Sequence, residues 1–312
     1  MENKLKTVYF GTPDFAVPPL AALLKDERVE IAAVVTSPDK RTGRKQILTP
    51  SAVKAYASEN GIRVLEYASV RKEGTEDLKS LLPDLFITCA FGQILSEEIL
   101  AIPKLYTLNI HGSLLPKYRG AAPIQAAILA GEKETGITVM KTVYEMDAGD
   151  ILLKKSIQIG ENETAGELFE RLSQLGARCI TEAIGLIAEK KAQFTPQNAE
   201  EATYVKKIEK ADGLLDFSLT AEEIRNRVRA YEPWPCAYTY VRGEQLKIHK
   251  VTAAGGKGVP GEVLQAGKTA EIACGSGSVV LEEVTPQGSR RMSAAEYVRG
   301  NKIHVGEILG KC

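Results

Sequence analysis

Short apolar segments alternate with helical stretches along the first third of the chain, and this alternation restricts the possible fold more than any other feature. Apolar segments of strand length occupy residues 5–10, 31–35, 63–65 and 85–89. Between them, residues 51–60 and 73–81 have the periodicity of helices. Such alternation is typical of a parallel sheet with right-handed crossover connections. We therefore predict an α/β domain with a Rossmann-like parallel sheet.

The turn after the first predicted strand restricts the ligands that this domain could bind. It reads Gly11-Thr12-Pro13-Asp14 and lacks the Gly-x-Gly-x-x-Gly pattern of dinucleotide-binding proteins. The sequence therefore gives no support for a nicotinamide cofactor.

The last third of the chain has a different pattern, in which short strands are separated by glycines. A helix is predicted over residues 164–191, and the turn-rich stretch 193–207 follows it as a linker. A second helix is predicted over residues 220–231, with Thr220 as its N-cap and Glu223 completing a capping box. The predicted strands that follow are residues 237–241, 245–251, 261–264, 270–274 and 278–284. Strands of this number and length suit a small OB-like β-barrel, so we predict domains at residues 1–192 and 208–312.

The composition is that of an ordinary globular protein without a bulk preference for polyanions. Its 40 basic residues balance 40 acidic ones, so any nucleic acid must be bound by a local patch of charge. The 5 cysteines are scattered and form no Cys-x-x-Cys pair, which argues against a disulfide framework or a structural zinc site. No segment approaches the roughly 18 apolar residues that a membrane span requires. We therefore expect a cytoplasmic protein that binds no membrane.

Residues 109–123 collect an amide, an imidazole, a hydroxyl and two cations around a turn rich in glycine and proline. Asn109 and His111 are two residues apart on a predicted strand, so both side chains point to the same face. Glycines and prolines then interrupt regular structure, and Pro123 is suited to the first turn of a helix. This loop follows the carboxyl end of a strand, where open α/β sheets bind ligands. We predict a functional site here.

The side chains of this stretch are suited to chemistry at a carbonyl group. Imidazole and carboxamide both donate hydrogen bonds to an oxygen that becomes negative, and imidazole also moves protons near neutral pH. A lone histidine on a strand is more often structural, but Asn109 and the polar loop favour a catalytic His111. The best candidate for a partner carboxylate is Asp147 in the acidic turn 145–150, although Asp147 and Asp150 could equally be ordinary hairpin-turn residues.

Other catalytic patterns are missing from the sequence. There is no serine in a Gly-x-Ser-x-Gly context and no cysteine paired with a histidine, so direct transfer is favoured over a covalent intermediate. There is also no His-Glu-x-x-His motif and no cluster with the spacing of metal ligands, so we infer no metal.

Residues 36–50 form a long polar connection that carries four cations: Lys40, Arg41, Arg44 and Lys45. A compact domain rarely keeps so long a connection between strand and helix without a use. The stretch is either a solvated flexible loop or a place where phosphates dock.

Taken together, these segments resemble the folate-dependent formyltransferases. The resemblance is carried by Asn109-Ile110-His111, by Ser113-Leu114-Leu115-Pro116-Lys117-Tyr118-Arg119-Gly120-Ala121-Ala122-Pro123 and by Asp147-Ala148-Gly149-Asp150. It extends over the whole chain through residues 10–16, the basic loop, Glu232-Pro233-Trp234-Pro235 and residues 296–300. It implies a formyltransferase domain followed by an OB-like domain that binds tRNA.

The resemblance also implies a reaction and its residues. An amino group would attack the formyl carbon of 10-formyltetrahydrofolate, with Asn109, His111 and Asp147 as the catalytic residues. The expected acceptor is initiator methionyl-tRNA, and a monomer is expected. The residues expected to bind the folate are Phe91, Gly92, Gln93, Ser113, Leu114, Leu115, Pro116 and Lys117. The residues expected to bind tRNA are Lys40, Arg41, Arg44 and Lys45.

Two other interpretations remain open at this point. The chain could formylate a nucleotide-linked amino sugar or glycinamide ribonucleotide, because such enzymes would use the same three residues. Alternatively, it could be a non-catalytic protein that binds RNA or senses nucleotides. The basic loop and the β-rich C-terminal part favour tRNA.

Overall fold

The computed structural model describes residues 4–43, 45–300 and 302–310, and these fall into two compact units. The first unit consists of Met1–Gly120, Thr135–Ile157 and Phe169–Tyr204, and the second of Ala121–Glu134, Gln158–Leu168 and Val205–Cys312. The units therefore interleave along the chain, and the linear boundaries at residues 192 and 208 stay a prediction. Within the described residues, no helix has both the length and the apolar character that crossing a membrane requires.

The elements between residues 4 and 203 follow the alternation predicted from the sequence. The strands are β1 Leu5–Gly11, β2 Val29–Thr36, β3 Lys40–Thr42, β4 Ile47–Thr49, β5 Val64–Glu66, β6 Leu85–Cys89, β7 Tyr106–His111, β8 Arg119–Gly120, β9 Glu134–Lys141 and β10 Ile151–Gln158. The helices are α1 Val17–Leu24, α2 Ala52–Glu59, α3 Val70–Glu73, α4 Thr75–Ser80, α5 Glu97–Leu100, α6 Pro123–Leu129 and α7 Ala165–Ala188, with 3₁₀ turns at Asp14–Ala16 and Ala199–Glu201. The single helix predicted over residues 73–81 is replaced by α3 and α4, which meet at Gly74.

The central sheet of the first unit has the strand order β10-β9-β7-β6-β1-β2-β5. Strands β5, β2, β1, β6 and β7 run parallel, as predicted. Strand β9 runs antiparallel to β7, so the sheet is mixed rather than wholly parallel. The difference arises because β9 and β10, which flank the acidic turn 145–150, add two strands to one edge of the parallel sheet. The α/β fold class is confirmed.

The apolar runs of the parallel strands form the core of this unit. Phe10 packs edge to face against Phe86 and Phe91, with ring centroids 4.9 and 5.4 Å away. Strands buried on both faces have nearly continuous apolar sequences, as β1 and β6 do. Because the strands are parallel, their carboxyl ends share one edge of the sheet. The loops after β1, β2, β6 and β7 all leave the sheet there.

The basic stretch after β2 is more ordered than the flexible-loop interpretation of the sequence expects. Strands β3 and β4 pair antiparallel, with Arg41 opposite Leu48. Polar side chains and the brevity of each strand hid this hairpin from the apolar pattern. Arg44, which stands between these two strands in the sequence, lies outside the described residues.

The second unit contains α6 and a β-rich segment that confirms the predicted C-terminal strands. Its further elements are β11 Tyr204–Val205, a 3₁₀ turn at Lys210–Gly213, α8 Ala221–Tyr231, β12 Ala237–Val241, β13 Glu244–Ala254, β14 Val263–Ala266, β15 Ala270–Ala273, β16 Ser278–Pro286, β17 Met292–Ser293 and α9 Ala294–Arg299. The antiparallel order is β12-β13-β16-β15-β14, with β17 also paired to β16. Helix α8 begins with the predicted capping box of Thr220 and Glu223.

The last described segment of this unit contacts the backbone at both ends of that strand order. Next to β14, Val263 donates to Glu307 O at 2.8 Å and accepts from Gly306 N at 2.9 Å. Next to β12, Gly310 N donates to Tyr240 O at 3.0 Å. The segment 302–310 therefore satisfies backbone groups of both edge strands.

Candidate active site

Strand β7 places Asn109 and His111 at the carboxyl edge of the first unit's sheet. Asn109 lies opposite Thr88 of β6, and His111 lies opposite Thr138 of β9. His111 is 6% exposed and Asn109 is partly buried. Both residues therefore sit on a strand held from either side, which fixes their backbone before any ligand binds.

The amide of Asn109 is oriented by Thr88. The hydroxyl of Thr88 lies 2.8 Å from Asn109 Oδ1 and 3.1 Å from the carbonyl oxygen of Leu108, and its single hydrogen is donated to the nearer oxygen, Oδ1. Because Oδ1 accepts from Thr88, the Nδ2 hydrogens at the other end of the planar amide are directed away from that hydroxyl. Asn109 is thus arranged as a hydrogen-bond donor, as an oxyanion site requires.

The ring of His111 has one nitrogen on a backbone carbonyl and the other near a carboxylate. Nε2 lies 3.0 Å from the carbonyl oxygen of Tyr118, which can only accept, so Nε2 carries a hydrogen. In the neutral ring, Nδ1 then holds the lone pair. Nδ1 lies 3.6 Å from Asp147 Oδ2. A proton taken up on Nδ1 would be stabilised by that carboxylate, so Nδ1 is the basic atom of the site.

Asp147 reaches His111 because its loop turns back sharply. Its backbone φ is +51°, in the left-handed region that few L-residues adopt. The backbone N–H of Gly120 donates to Asp147 Oδ2 at 2.7 Å. The side chain is 15% exposed, so water reaches it only in part. The structure therefore brings Asn109, His111 and Asp147 together at one edge of the sheet.

Gln197 holds the loop that carries Asp147. Its Nε2 donates to the carbonyls of Asp147 and Gly149, both at 2.8 Å. Its Oε1 accepts from the guanidinium of Arg119, at 2.8 Å from Nη2 and 3.2 Å from Nε. Arg119 is 3% exposed, so water does not compete for its end of this chain of hydrogen bonds, while Gln197 is only partly buried. A buried cation, an amide and two carbonyls thus fix the loop's conformation.

The loop after β7 is held by side chains of the sheet. Ser113 Oγ donates to the carbonyl of Lys117 at 2.6 Å. Thr138 Oγ1 accepts from Leu115 N and donates to the carbonyl of Ser113. Leu115 is fully buried, Leu114 and Pro116 are partly buried, and Lys117 is exposed. Most of this predicted folate segment is therefore held by hydrogen bonds and packing within the protein.

Of the three residues predicted to bind folate after β6, only Gly92 faces open space. A Cβ on Gly92 would meet no atom within 4 Å, and its φ is +79°. Phe91 packs in the core. The amide of Gln93 accepts from Val70 N at 2.8 Å and donates to the carbonyl of Tyr67 at 2.9 Å. Gln93 therefore fixes the segment before α3, and its predicted contact with the folate stays a prediction.

The cations of the β3–β4 hairpin are exposed. Lys40, Arg41 and Lys45 all face solvent, and Arg41 Nη1 donates to the carbonyl of Gln46 at 3.1 Å. Ile47 and Leu48 in the same hairpin are about 60% exposed. The hairpin follows β2 and so begins at the sheet edge at which β7 ends. Its predicted role in binding tRNA stays a prediction.

Comparison with known proteins identifies the family. A family model described as formyl transferase matches residues 4–184, and one described as the formyl transferase C-terminal domain matches residues 207–302. The chain belongs to the formyl transferase family.

Relatives that resemble this formyl transferase over nearly its whole length share one name. The "Methionyl-tRNA formyltransferase" of Acetivibrio thermocellus is 44% identical over 98% of this chain and 100% of its own length. The protein of that name from Geobacter sulfurreducens is 42% identical over 98% of this chain and 97% of its own length.

Solved structures share the fold at lower identity. WlaRD, described as a sugar 3N-formyl transferase, aligns with a TM-score of 0.66 and 22% identity over 92% of this chain and 100% of its own. HypX from Aquifex aeolicus, solved with tetrahydrofolic acid, aligns with a TM-score of 0.62 and 19% identity over 95% of this chain. This formyl transferase spans about half of the length of HypX, 47%.

Sequence reasoning missed two residues of the site. Gln197 falls in the stretch interpreted as a linker, and a glutamine in a turn-rich segment gives no signal of its own. Thr88 falls in an apolar strand, where threonine is unremarkable for β-structure. Only the pairing of β6 with β7 brings Thr88 opposite Asn109.

We expect Gln197→Ala to loosen the Asp147 loop, because two hydrogen bonds worth about 0.5–1.5 kcal/mol each are lost. Amide hydrogen exchange of residues 145–149 should accelerate about tenfold or more. Gln197→Glu keeps an acceptor for Arg119 but places a carboxylate against two carbonyls, so it should accelerate exchange as well. Gln193→Ala, at an exposed glutamine of the same segment, is the matched control. Equal exchange in all variants would show that Gln197 does not hold the loop.

Proposed function

We propose that this formyl transferase moves the formyl group of 10-formyltetrahydrofolate to the amino group of initiator methionyl-tRNA. The observation that carries the proposal is the convergence of Asn109, His111 and Asp147 in a chain 44% identical to a methionyl-tRNA formyltransferase over its full length. Two solved fold neighbours are described with tetrahydrofolic acid or 5-N-formyl-THF, which supports a folate co-substrate. The protein would act as a cytoplasmic monomer, and the three residues do the chemistry without a metal.

The reaction begins when the neutral amine attacks the formyl carbon. A C–N bond forms, and the carbonyl oxygen becomes an oxyanion that accepts from Asn109 Nδ2. The ammonium proton passes to His111 Nδ1, since Nε2 already donates to Tyr118. Asp147 stabilises the resulting imidazolium. This proton then goes to the departing folate nitrogen, the old C–N bond breaks, and formylated product and tetrahydrofolate are released.

His111 therefore has two roles at successive stages. In its neutral form it is a base and offers no hydrogen to the oxyanion, because its one N–H is engaged by the Tyr118 carbonyl. Once protonated, it presents an N–H on the side of Asp147 and adds to the stabilisation that Asn109 provides. Thr88 and Gln197 act indirectly, as positioning residues for Asn109 and for the Asp147 loop.

The folate would occupy the carboxyl edge of the sheet beside the reacting groups. Gly92 leaves open space next to its backbone after β6, and the loop 113–117 follows the neighbouring parallel strand β7 and would supply a second wall. A largely preformed wall reduces the entropy that binding must offset. Phe91 and Gln93 would then position Gly92 through their own packing and hydrogen bonds, and their side chains would not contact the folate.

Methionyl-tRNA would be bound by a local concentration of charge. The whole chain has no net charge, but Lys40, Arg41 and Lys45 are exposed on one hairpin, next to the apolar Ile47 and Leu48. A basic strip of this kind attracts phosphates, and its exposed apolar side chains suit unstacked bases. The β-rich second unit would supply another contact to the tRNA.

The proposal is tested by offering the purified protein 10-formyltetrahydrofolate with alternative acceptors. We expect rapid formylation of initiator methionyl-tRNA and little product with dTDP-linked amino sugars or glycinamide ribonucleotide. The amino sugars are an informative comparison because WlaRD has the same fold. Absence of product on methionyl-tRNA, with product on a sugar nucleotide, would reject the proposal.

We expect Asn109→Ala to lower kcat by about 10²–10³-fold, because one oxyanion donor is removed. The KM for methionyl-tRNA should change little, since Asn109 acts in the transition state. Asn60→Ala, at an exposed asparagine that follows α2, is the control and should keep full activity. An increase in KM with kcat unchanged would contradict the assignment of Asn109 as an oxyanion donor.

The family resemblance implies that Arg44 binds tRNA. We therefore expect Arg44→Ala to weaken tRNA binding and to reduce the slope of log Kd against log salt concentration by about 1. The KM for the folate should stay the same. Lys191→Ala removes an exposed lysine of the same unit, 70% exposed at its side chain, and serves as the control. An unchanged salt slope in Arg44→Ala would contradict the prediction that this residue contacts a phosphate of the tRNA.

A further inference from the structure

Three side chains with metal-binding atoms meet in the second unit, in a cluster that the reaction above does not use. Cys236 Sγ lies 3.5 Å from His249 Nδ1 and 3.7 Å from Glu232 Oε2, and these last two atoms are 2.9 Å apart. Among the described residues, this is the only group of three His, Cys, Asp or Glu side chains that could hold an ion. Cys236 is 3% exposed, and the other two side chains are 12–13% exposed.

The backbone places these atoms together from two separate segments. Glu232 caps the C-terminus of α8, and the Pro233-Trp234-Pro235 segment carries the chain to Cys236. Cys236 has a φ of +70°, a conformation that glycine adopts at far lower cost. His249 comes from β13, whose neighbouring residue Ile248 pairs with Ala237. The register of β12 and β13 therefore sets Cys236 beside His249.

The distances agree with the edges of a tetrahedron around a small ion. Zinc bonds of about 2.3 Å to sulfur and about 2.0–2.1 Å to nitrogen or oxygen imply ligand separations of roughly 3.3–3.6 Å. Both separations from Cys236 Sγ, 3.5 and 3.7 Å, are close to that value. The Nδ1 to Oε2 distance of 2.9 Å is a hydrogen bond, which would have to widen by roughly 0.4 Å.

The far sides of two of these groups are already held by other side chains. His249 Nε2 lies 2.8 Å from Thr285 Oγ1, which leaves Nδ1 facing the cluster. Glu232 Oε1 accepts from Arg291 Nη1 at 2.8 Å, which leaves Oε2 facing the cluster. Metal-bound histidines and carboxylates are characteristically oriented by such outer contacts. Both inward atoms thus converge on the thiol.

We propose that Glu232, Cys236 and His249 bind one divalent transition-metal ion of the zinc type, with water as the fourth ligand. One sulfur, one imidazole nitrogen and one carboxylate oxygen form a donor set that suits zinc and is foreign to magnesium or calcium. The ion would take no part in the formyl-transfer steps above, which use Asn109, His111 and Asp147. It would tie the end of α8 to β13.

The probe is ZnCl₂ titrated into the full-length protein after treatment with chelator, followed by calorimetry and by the melting temperature. We expect binding of one equivalent at micromolar concentration or below and a higher melting temperature. Cobalt(II) should give the thiolate-to-metal band of a cysteine ligand. Absence of stoichiometric binding and of the cobalt band would overturn the proposal.

Variants assign the ligands. Cys236→Gly removes the sulfur at a position whose φ suits glycine, so the protein should fold as well as before but lose zinc binding and the cobalt band. His249→Gln should also lose binding. Cys274→Ser is the matched control, because this buried cysteine of the same unit donates to the carbonyl of Ile272 instead. Zinc binding that survives Cys236→Gly or disappears in Cys274→Ser would refute the site.

The hydrogen bond between Thr285 and His249 separates a metal site from a cluster that only packs together, because only a metal site would lose zinc affinity when this bond is removed. Thr285→Val removes the hydrogen bond to His249 Nε2 and leaves all three proposed ligands unchanged in sequence. We expect zinc affinity to fall about 10–100-fold while the melting temperature of the metal-free protein changes little. Unchanged affinity in a folded Thr285→Val protein would count against the proposed geometry.

Discussion

The candidate active site of this formyl transferase depends on the hydrogen bonds that hold Asp147 in a left-handed backbone conformation. A residue with φ near +51° does not stay there without support from its surroundings. Gly120 binds its carboxylate, and Gln197 binds its carbonyl and that of Gly149. Without these contacts, β7 would still present Asn109 and His111, but His111 would lack a carboxylate to stabilise its protonated form.

Glycine at position 149 belongs to the same constraint. A Cβ there would stand 1.9 Å from the carbonyl oxygen of Lys141, so no other residue fits without displacing the strand. The chain can therefore fold back from β9 into β10 only with this glycine in its turn. The antiparallel edge of the sheet, which departs from a purely parallel α/β fold, is the feature that delivers Asp147 to the site.

Local patterns in the sequence predicted the parts of the fold that local forces determine. The apolar runs of the parallel strands, the capping box at Thr220 and the spacing of Asn109 and His111 could all be recognised along the chain. Gln197 and Thr88 could not, because their roles come from strand pairing and from contacts 50 and 21 residues away in sequence. The Glu232, Cys236 and His249 cluster was hidden for the same reason, since its members are not spaced as ligands on one element. Arg44 lies outside the described residues, so its role in binding tRNA stays a prediction from the sequence.

The segment 302–310 has a consequence for how the second unit behaves among other proteins. It occupies the backbone donor and acceptor of Val263 in β14 and the carbonyl of Tyr240 in β12, so these groups are not free to pair with a foreign strand. Small antiparallel sheets are otherwise prone to add strands from other chains at their edges. The segment therefore hinders the addition of a foreign strand at both edges of this sheet.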